Sequence, residues 1–194
     1  MGKSTTAAMF RDAGVPVWDA DAAVHRLYGP GGKAVPKVAA LAPPAVRAGA
    51  VDRNALRAWV TADAGRLPRL EAAVHPLVAD DRAEFLRDHA DQGTDLVILD
   101  IPLLYETGAD ALADAVVVVT APPDMQRARV LARPGMTGEA LDAILARQMP
   151  DAEKRRRADY VITTEAMDTA RAAVHRILSE IRSKVAAAQG TDHA

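Results

Sequence analysis

An α/β fold built around a parallel sheet is what this sequence predicts, and three observations predict it. Asp95-Leu-Val-Ile-Leu-Asp-Ile101 and Ala115-Val-Val-Val-Val-Thr120 are nearly continuous apolar runs, the pattern of parallel strands buried on both faces. Asp159-Tyr-Val-Ile-Thr163 is a third, shorter run. Helical patterns separate these runs, and strands alternating with helices give a parallel sheet.

The elements follow in chain order. Lys3 to Ala13 has a helical pattern, and Gly14 is its stop. Val15-Pro-Val-Trp18 is a short strand, although Pro16 is awkward in a central one. Ala22 to Tyr28 is helical, and Gly29-Pro-Gly-Gly32 breaks the chain. Residues 33–42 form a helix that Pro43-Pro44 ends. Asp52 is a candidate N-cap for a helix over Arg53–Thr61. Leu67 to Gln92 is a long helical pattern with Leu67, Leu70, Val74, Leu77 and Val78 on one face, continued by Phe85 and Leu86. Pro76 should kink or split it. No strand is expected between 33 and 92, a stretch long enough to form a helical cap beside the sheet.

After the two apolar runs, helices are expected over Pro123–Ala132 and Thr137–Met149, with Pro134-Gly135 between them. Arg155-Arg-Arg157 precedes the last strand. A final helix runs from Ala166 to about Ala188, with Val174, Ile177, Leu178 and Ile181 on one face. Gly190 to Ala194 should fray. There is no internal repeat and no low-complexity segment.

Composition narrows the function. The chain has 194 residues, 49% of them apolar and 26% charged, a globular balance. Its net charge of −2 argues against bulk binding to nucleic acid or to an anionic membrane. It has no cysteine, which excludes disulfides, a thiolate nucleophile, Cys-ligated zinc and iron–sulfur clusters. No run of about 18 apolar residues is present, and the N-terminus lacks the apolar region of a signal peptide. A cytoplasmic location is expected.

Five features carry chemistry. Gly2-Lys3-Ser4-Thr5 opens a helix and resembles the second half of a Walker A phosphate-binding loop. Glycine allows close backbone approach, lysine reaches the β- and γ-phosphates, and a hydroxyl can hold Mg²⁺. The free N–H groups of the helix start face the anion. Alone, four residues fit an ordinary surface helix start better. Asp19-Ala-Asp21 follows a strand, where carboxylates point into the ligand crevice of open α/β sheets. One could serve as general base and the other could position metal. Spacing equally allows Asp21 merely to cap the next helix. Asp100 closes an apolar run, as a Walker B-like carboxylate does, or is a solvated strand end. His75-Pro76 lies within a helix, where a lone histidine is usually structural. Arg127, Arg129, Arg133, Arg147 and Arg155 to Arg157 could stabilise transferring phosphates, and some of them simply solvate helix faces.

The order of these features is more specific than any one of them. Val17-Trp-Asp-Ala-Asp21, Val74-His-Pro-Leu77, Asp100-Ile-Pro-Leu-Leu-Tyr-Glu106, Arg147-Gln148, Lys154 and Ala158-Asp159 follow one another along the chain. Together they closely resemble the dephospho-CoA kinase family, over essentially the whole chain. The resemblance implies a three-layer P-loop fold of the nucleoside-monophosphate-kinase type. Its single domain would have a core over about 1–32, 93–132 and 158–188, a helical substrate-binding region over about 33–92, and a lid over about 133–149. It implies transfer of the γ-phosphoryl of ATP to the ribose 3′-hydroxyl of dephospho-CoA, with Mg²⁺. Gly2, Lys3, Ser4 and Thr5 would bind the ATP phosphates, with Ser4 on Mg²⁺, and Lys3 would also act in catalysis. Asp21 would take the 3′-hydroxyl proton. Asp19 and Asp100 would line the same crevice, and His75 would help hold dephospho-CoA. Arg133 and Arg147 would close on the phosphates. The partners implied are ATP and dephospho-CoA, with no nucleic acid or membrane, in a monomer or weak homo-oligomer.

The chain departs from the family pattern at its start. That pattern opens with an apolar strand and a loop of the kind Gly-x-x-Gly-x-Gly-Lys-Ser, and Met1 stands just inside the loop. The expectation is a natural chain longer by about a dozen residues, a strand plus half a loop. A chain starting at Met1 should have weak or absent kinase activity. Three alternatives differ in class. A nucleotide or shikimate kinase is disfavoured by the Asp-Ala-Asp and His-Pro elements. A GTPase needs Asn-Lys-x-Asp, and the only asparagine, Asn54, is followed by alanine. A non-catalytic relic of a kinase would bind ATP without turnover.

Overall fold

The computed structural model describes residues 2–132, 134–146 and 148–191, with side chains up to Ala187. The chain forms two compact units, one from Met1–Val17 and Ile98–Ala194, the other from Trp18–Val97. Among the described residues, no helix is long and apolar enough to cross a membrane.

Helix α1, Lys3–Asp12, opens the first unit with Thr6, Ala7, Met9 and Phe10 buried. These recur at helical spacing and form one face. Gly14, at φ 81°, turns the chain out of the helix as expected. Strand β1 spans Val17–Asp19, one residue past Pro16. Proline has no N–H for a ladder, but the Pro16 carbonyl accepts the Ile98 N–H at 2.9 Å.

The second unit is mostly helical: α2 (Ala20–Tyr28), α3 (Val35–Leu41), α4 (Arg53–Thr61) and α5 (Arg66–Asp91). Asp52 caps α4, accepting the N–H groups of Asn54 and Ala55. One expectation fails here, and one of two alternatives drops out. A hairpin, β2 (Val46–Arg47) and β3 (Ala50–Val51), lies in the stretch expected to lack strands. Its turn residues Ala48 and Gly49 both have positive φ, at 47° and 75°. That is the tight two-residue turn of a hairpin. Two-residue strands show no alternation, so the pattern was invisible. Helix α5 also runs unsplit through Pro76. The ring removes one backbone hydrogen bond, while Leu70 and Val74 anchor the preceding turns in the core.

That core gathers Val38, Ala42, Ala45, Val51, Leu56, Leu70 and Val74, with Trp59 and Val78 packed against it. Leu67 and Leu86, expected on the buried face of α5, are exposed. Trp18 is buried, and its indole N–H donates to Asp81 Oδ1 at 2.8 Å. Arg26 donates to the same oxygen at 2.7 Å.

The first unit resumes with β4 (Ile98–Asp100), β5 (Val117–Thr120), α6 (Pro123–Leu131), α7 (Gly138–Leu145), α8 (Asp151–Arg157), β6 (Tyr160–Thr163) and α9 (Met167–Thr191). Strands β5 and β6 are parallel, with Val117 opposite Tyr160 and Thr120 opposite Thr163. Helix α9 packs on β6 and α1, burying Val174, Ile177 and Leu178 as expected.

Four expectations change in this unit. The expected 137–149 helix contracts to α7, with Thr137 accepting the Ala140 N–H. The arginine run lies on a helix of its own, α8, whose seven residues are too few to show an apolar period. Helix α9 includes Gly190 and Thr191, which were expected to fray, and residues 192–194 lie outside the described residues. Ile98, Leu99, Val117, Val118 and Val119 are half-buried, where burial on both faces was expected. The cause is pairing, since among the described residues β5 pairs only with β6, and β4 is not part of that sheet.

Asp81→Ala should strip the acceptor from a buried indole N–H, at about 1–3 kcal/mol. A urea titration followed by circular dichroism should show the lowered midpoint; an unchanged midpoint would contradict the role given to this carboxylate.

Candidate active site

The start of α1 sets the geometry. Gly2 takes φ 126° and precedes a helix whose first turn has no side-chain cap. A Cβ at Gly2 would stand 2.8 Å from Thr164 Oγ1, so a larger residue is excluded by space as well as by conformation. The first N–H groups of a helix have no partner within it, and here no side chain takes them. They and the helix dipole favour an anion. Ser4 and Thr5 are exposed at this end.

Lys3 donates to Asp100 Oδ1 at the end of β4. The aspartate side chain is 4% exposed and the lysine 44%. Asp100 is thus a buried carboxylate at a strand end, and a solvated one is ruled out. Its second oxygen, Oδ2, is buried with no hydrogen-bond partner. An ammonium has three donors, and the exposed half of Lys3 leaves donors open to a ligand.

Asp19, Asp21 and His75 lie in the second unit, each placed by its own neighbours. Asp19 is the residue that caps α2, accepting the Ala22 N–H at 3.0 Å. Asp21, for which spacing equally allows capping, is exposed in the first turn of α2. His75 is exposed on α5. Arg133 and Arg147 lie outside the described residues. The other arginines are engaged: Arg127 with Asp142, Arg129 with Thr164, Arg155 with Asp151, Arg156 with Glu153 and Arg157 with Asp110.

Sequence reasoning gave Glu106 no role, and the structure gives it one. Glu106 Oε1 accepts the Met149 N–H at 2.8 Å and pairs with Lys154 Nζ at 2.7 Å. Glu106 and Lys154 both stand in the motifs that carry the resemblance, which was the available signal. A second addition is a cavity of about 240 Å³ lined by Gly2, Thr5, Met9, Arg129, Thr164 and Glu165. It lies at the C-terminal end of β6, where open α/β sheets bind ligands.

No group of three or more His, Asp or Glu side chains able to hold a metal exists among the described residues. Mg²⁺ fits regardless, because it is commonly held by one or two protein oxygens together with substrate phosphates and water. The orphaned, buried Asp100 Oδ2 and the exposed Ser4 hydroxyl are such oxygens.

Phosphate is what this end of α1 suits, and a lysine beside a buried strand-end carboxylate is the equipment of nucleotide-dependent phosphoryl transfer. Fold and site define a phosphotransferase of the P-loop class. Comparison with known proteins narrows that class. The family model for dephospho-CoA kinase matches residues 1–169. A dephospho-CoA kinase of Cereibacter sphaeroides is 62% identical over 94% of this chain and 91% of its own length. One of Mesorhizobium japonicum is 56% identical over 95% and 93%. A crystal structure from Thermus thermophilus superposes with a TM-score of 0.75 at 36% identity, covering 94% of this chain and 91% of the other. The chain belongs to the dephospho-CoA kinase family.

Glu106 also carries a pH dependence. Burial pushes its carboxyl up, but the hydrogen bonds from Lys154, its own N–H and Met149, with the Lys154 charge, bring it below the ordinary 4.5. A lowered carboxyl contributes stability that is fully present above the unfolded value and is lost as pH falls through the folded one. Glu106→Gln should therefore be less stable than the wild type at neutral pH. The gap should narrow once pH drops below about 4.5. Urea midpoints measured stepwise in pH check this, and a gap that stays constant to about pH 3 would contradict it.

Proposed function

We propose a division of labour among the residues of this chain for the reaction of its family. As a member of that family the chain phosphorylates dephospho-CoA with ATP, giving coenzyme A. The observation that carries the residue assignment is the Lys3–Asp100 pair at the uncapped start of α1.

The N–H groups of Gly2, Lys3, Ser4 and Thr5 receive the ATP phosphates, and the Lys3 ammonium faces the β- and γ-phosphates. The 240 Å³ cavity beside Thr5 and Arg129 suits the nucleoside end of ATP. Ser4 and Asp100 would hold Mg²⁺, which when bound neutralises charge on the phosphates. Asp21 takes the proton of the ribose 3′-hydroxyl. The 3′-oxygen bonds to the γ-phosphorus, the bond to the β-bridging oxygen breaks, and ADP leaves. Asp19, His75 and the helices of the second unit hold dephospho-CoA. Residues 133–149 close over the phosphates with Arg133 and Arg147 and exclude water that would otherwise hydrolyse ATP. The exposure of Asp21 and His75 supports this reading, since a base and a substrate contact must be reachable.

The same reading sets the chain in the cytoplasm as a monomer or weak homo-oligomer without nucleic-acid or membrane partners. The near-neutral charge supports it.

ADP release from Mg·ATP should depend on dephospho-CoA, as a coupled assay with and without the acceptor would show. Release independent of the acceptor would contradict the reading. Asp21→Asn should lower kcat by about 10²–10⁴-fold, the usual worth of a general base. Its KM for ATP should stay nearly unchanged. A raised KM for dephospho-CoA with kcat unchanged would move Asp21 from proton transfer to binding.

A further inference from the structure

Two segments of the first unit are stitched together by side chains that the reaction itself does not use. One is the loop of residues 101–112 that follows Asp100. The other is residues 149–157, which follow α7. Glu106 takes both the Met149 N–H and Lys154 on one oxygen. The Arg157 guanidinium lies 4.4 Å over the ring of Tyr105 and reaches Asp110 Oδ2 at 3.2 Å. Thr120 at the end of β5 donates to Asp151 at 2.9 Å.

The stitching meets a strained turn. Leu103 has φ 54°, a left-handed conformation that a leucine rarely adopts. Its carbonyl accepts the Thr107 N–H at 3.0 Å, and the Leu104 carbonyl accepts the Ala109 N–H at 2.9 Å. Strain of this kind persists where the surroundings over-determine it. Here Asp100 is held by Lys3 at one end of the turn and Glu106 by Met149 and Lys154 at the other.

We infer that Glu106, with Lys154, is a positioning residue for phosphoryl transfer. Its carboxylate fixes the main chain at Met149, where the proposed closing segment ends, to the loop that follows Asp100. The point at which that segment re-enters the core is thus held at a set place relative to the Lys3–Asp100 pair. The inference rests on the functional reading above. A segment anchored in this way closes in one register and keeps water from the γ-phosphate. A loosened anchor lets closure miss its register, so water competes with the acceptor hydroxyl.

The measurement is ADP release from Mg·ATP with and without dephospho-CoA, on the wild type, Glu106→Ala, Glu106→Gln, Lys154→Met and the double variant Glu106→Gln/Lys154→Met. Hydrogen exchange over residues 148–154 is followed in parallel. In Glu106→Ala the ratio of acceptor-dependent to acceptor-independent release should fall at least about tenfold, with KM for dephospho-CoA within about twofold. Glu106→Gln keeps an acceptor for Met149 and should recover part of the ratio. The double variant should be no worse than the poorer of its two parents, because both substitutions break one contact. Exchange at Met149 should quicken in Glu106→Ala.

A ratio unchanged in every variant overturns the inference. So does a loss of total activity that tracks the folded fraction while the ratio stays fixed, or unaltered exchange at Met149. A wild type whose release is independent of the acceptor overturns the functional reading itself, and the inference with it. The two failures are told apart by which protein shows them.

Discussion

The pairing of Lys3 with Asp100 is the constraint on which the first unit is organised. A carboxylate buried at a strand end cannot stand alone, since an unpaired buried charge is strongly destabilising. The nearest solution is a lysine at the first position of a helix that packs against that strand. This requirement joins α1 to β4 and sets the start of the helix beside the end of the strand. It also determines what the lysine can do. Half of its side chain is in solvent, so the carboxylate orients it without consuming it. Gly2 completes the arrangement by leaving room for Thr164, which is buried against the carbonyl of Thr120.

The same electrostatic logic sorts the cations of this unit. A run of Lys154, Arg155, Arg156 and Arg157 invites assignment to phosphate, yet each meets a carboxylate. Two of those carboxylates, Asp151 and Glu153, lie on α8 itself, and two, Glu106 and Asp110, lie on the loop after β4. The first kind contributes little, being exposed pairs within one helix. The second kind crosses between segments far apart in sequence and ties them. Proximity in sequence thus says little about function on α8, and the partner's location says much.

Much of this was legible in the residues alone. The apolar runs located β4, β5 and β6. The Gly-Lys-Ser-Thr start located α1, and Asp52 was found as a cap because capping is local. What escaped depends on contacts between distant segments. Nothing near Glu106 in sequence announces Met149 or Lys154, although motif order flagged both charged residues. The hairpin at 46–51 escaped because its turn is Ala-Gly in place of a more telling Asn-Gly, and its strands are two residues long. The half-burial of Val117 to Val119 escaped because hydrophobicity states what a residue prefers, while strand pairing decides what covers it. That Asp19 and not Asp21 caps α2 turned on where the helix starts, by two residues, which is the scale on which helix ends are least determined by pattern.

The hydrogen bond from Ile98 to Pro16 has a topological consequence. The main chain leaves the first unit after Val17 and returns to it at Ile98, and the 2.9 Å bond from Ile98 to Pro16 ties the exit to the re-entry. The whole of residues 18–97 is therefore an excursion whose exit and re-entry coincide. Closing such a loop depends only weakly on how many residues lie within it, with each doubling adding about 0.6 kcal/mol. The closure is thus largely indifferent to the length of the excursion. Residues Asp19, Asp21 and His75 all travel with that excursion. Residues between the exit and the re-entry can therefore be added or removed at little cost to the closure itself.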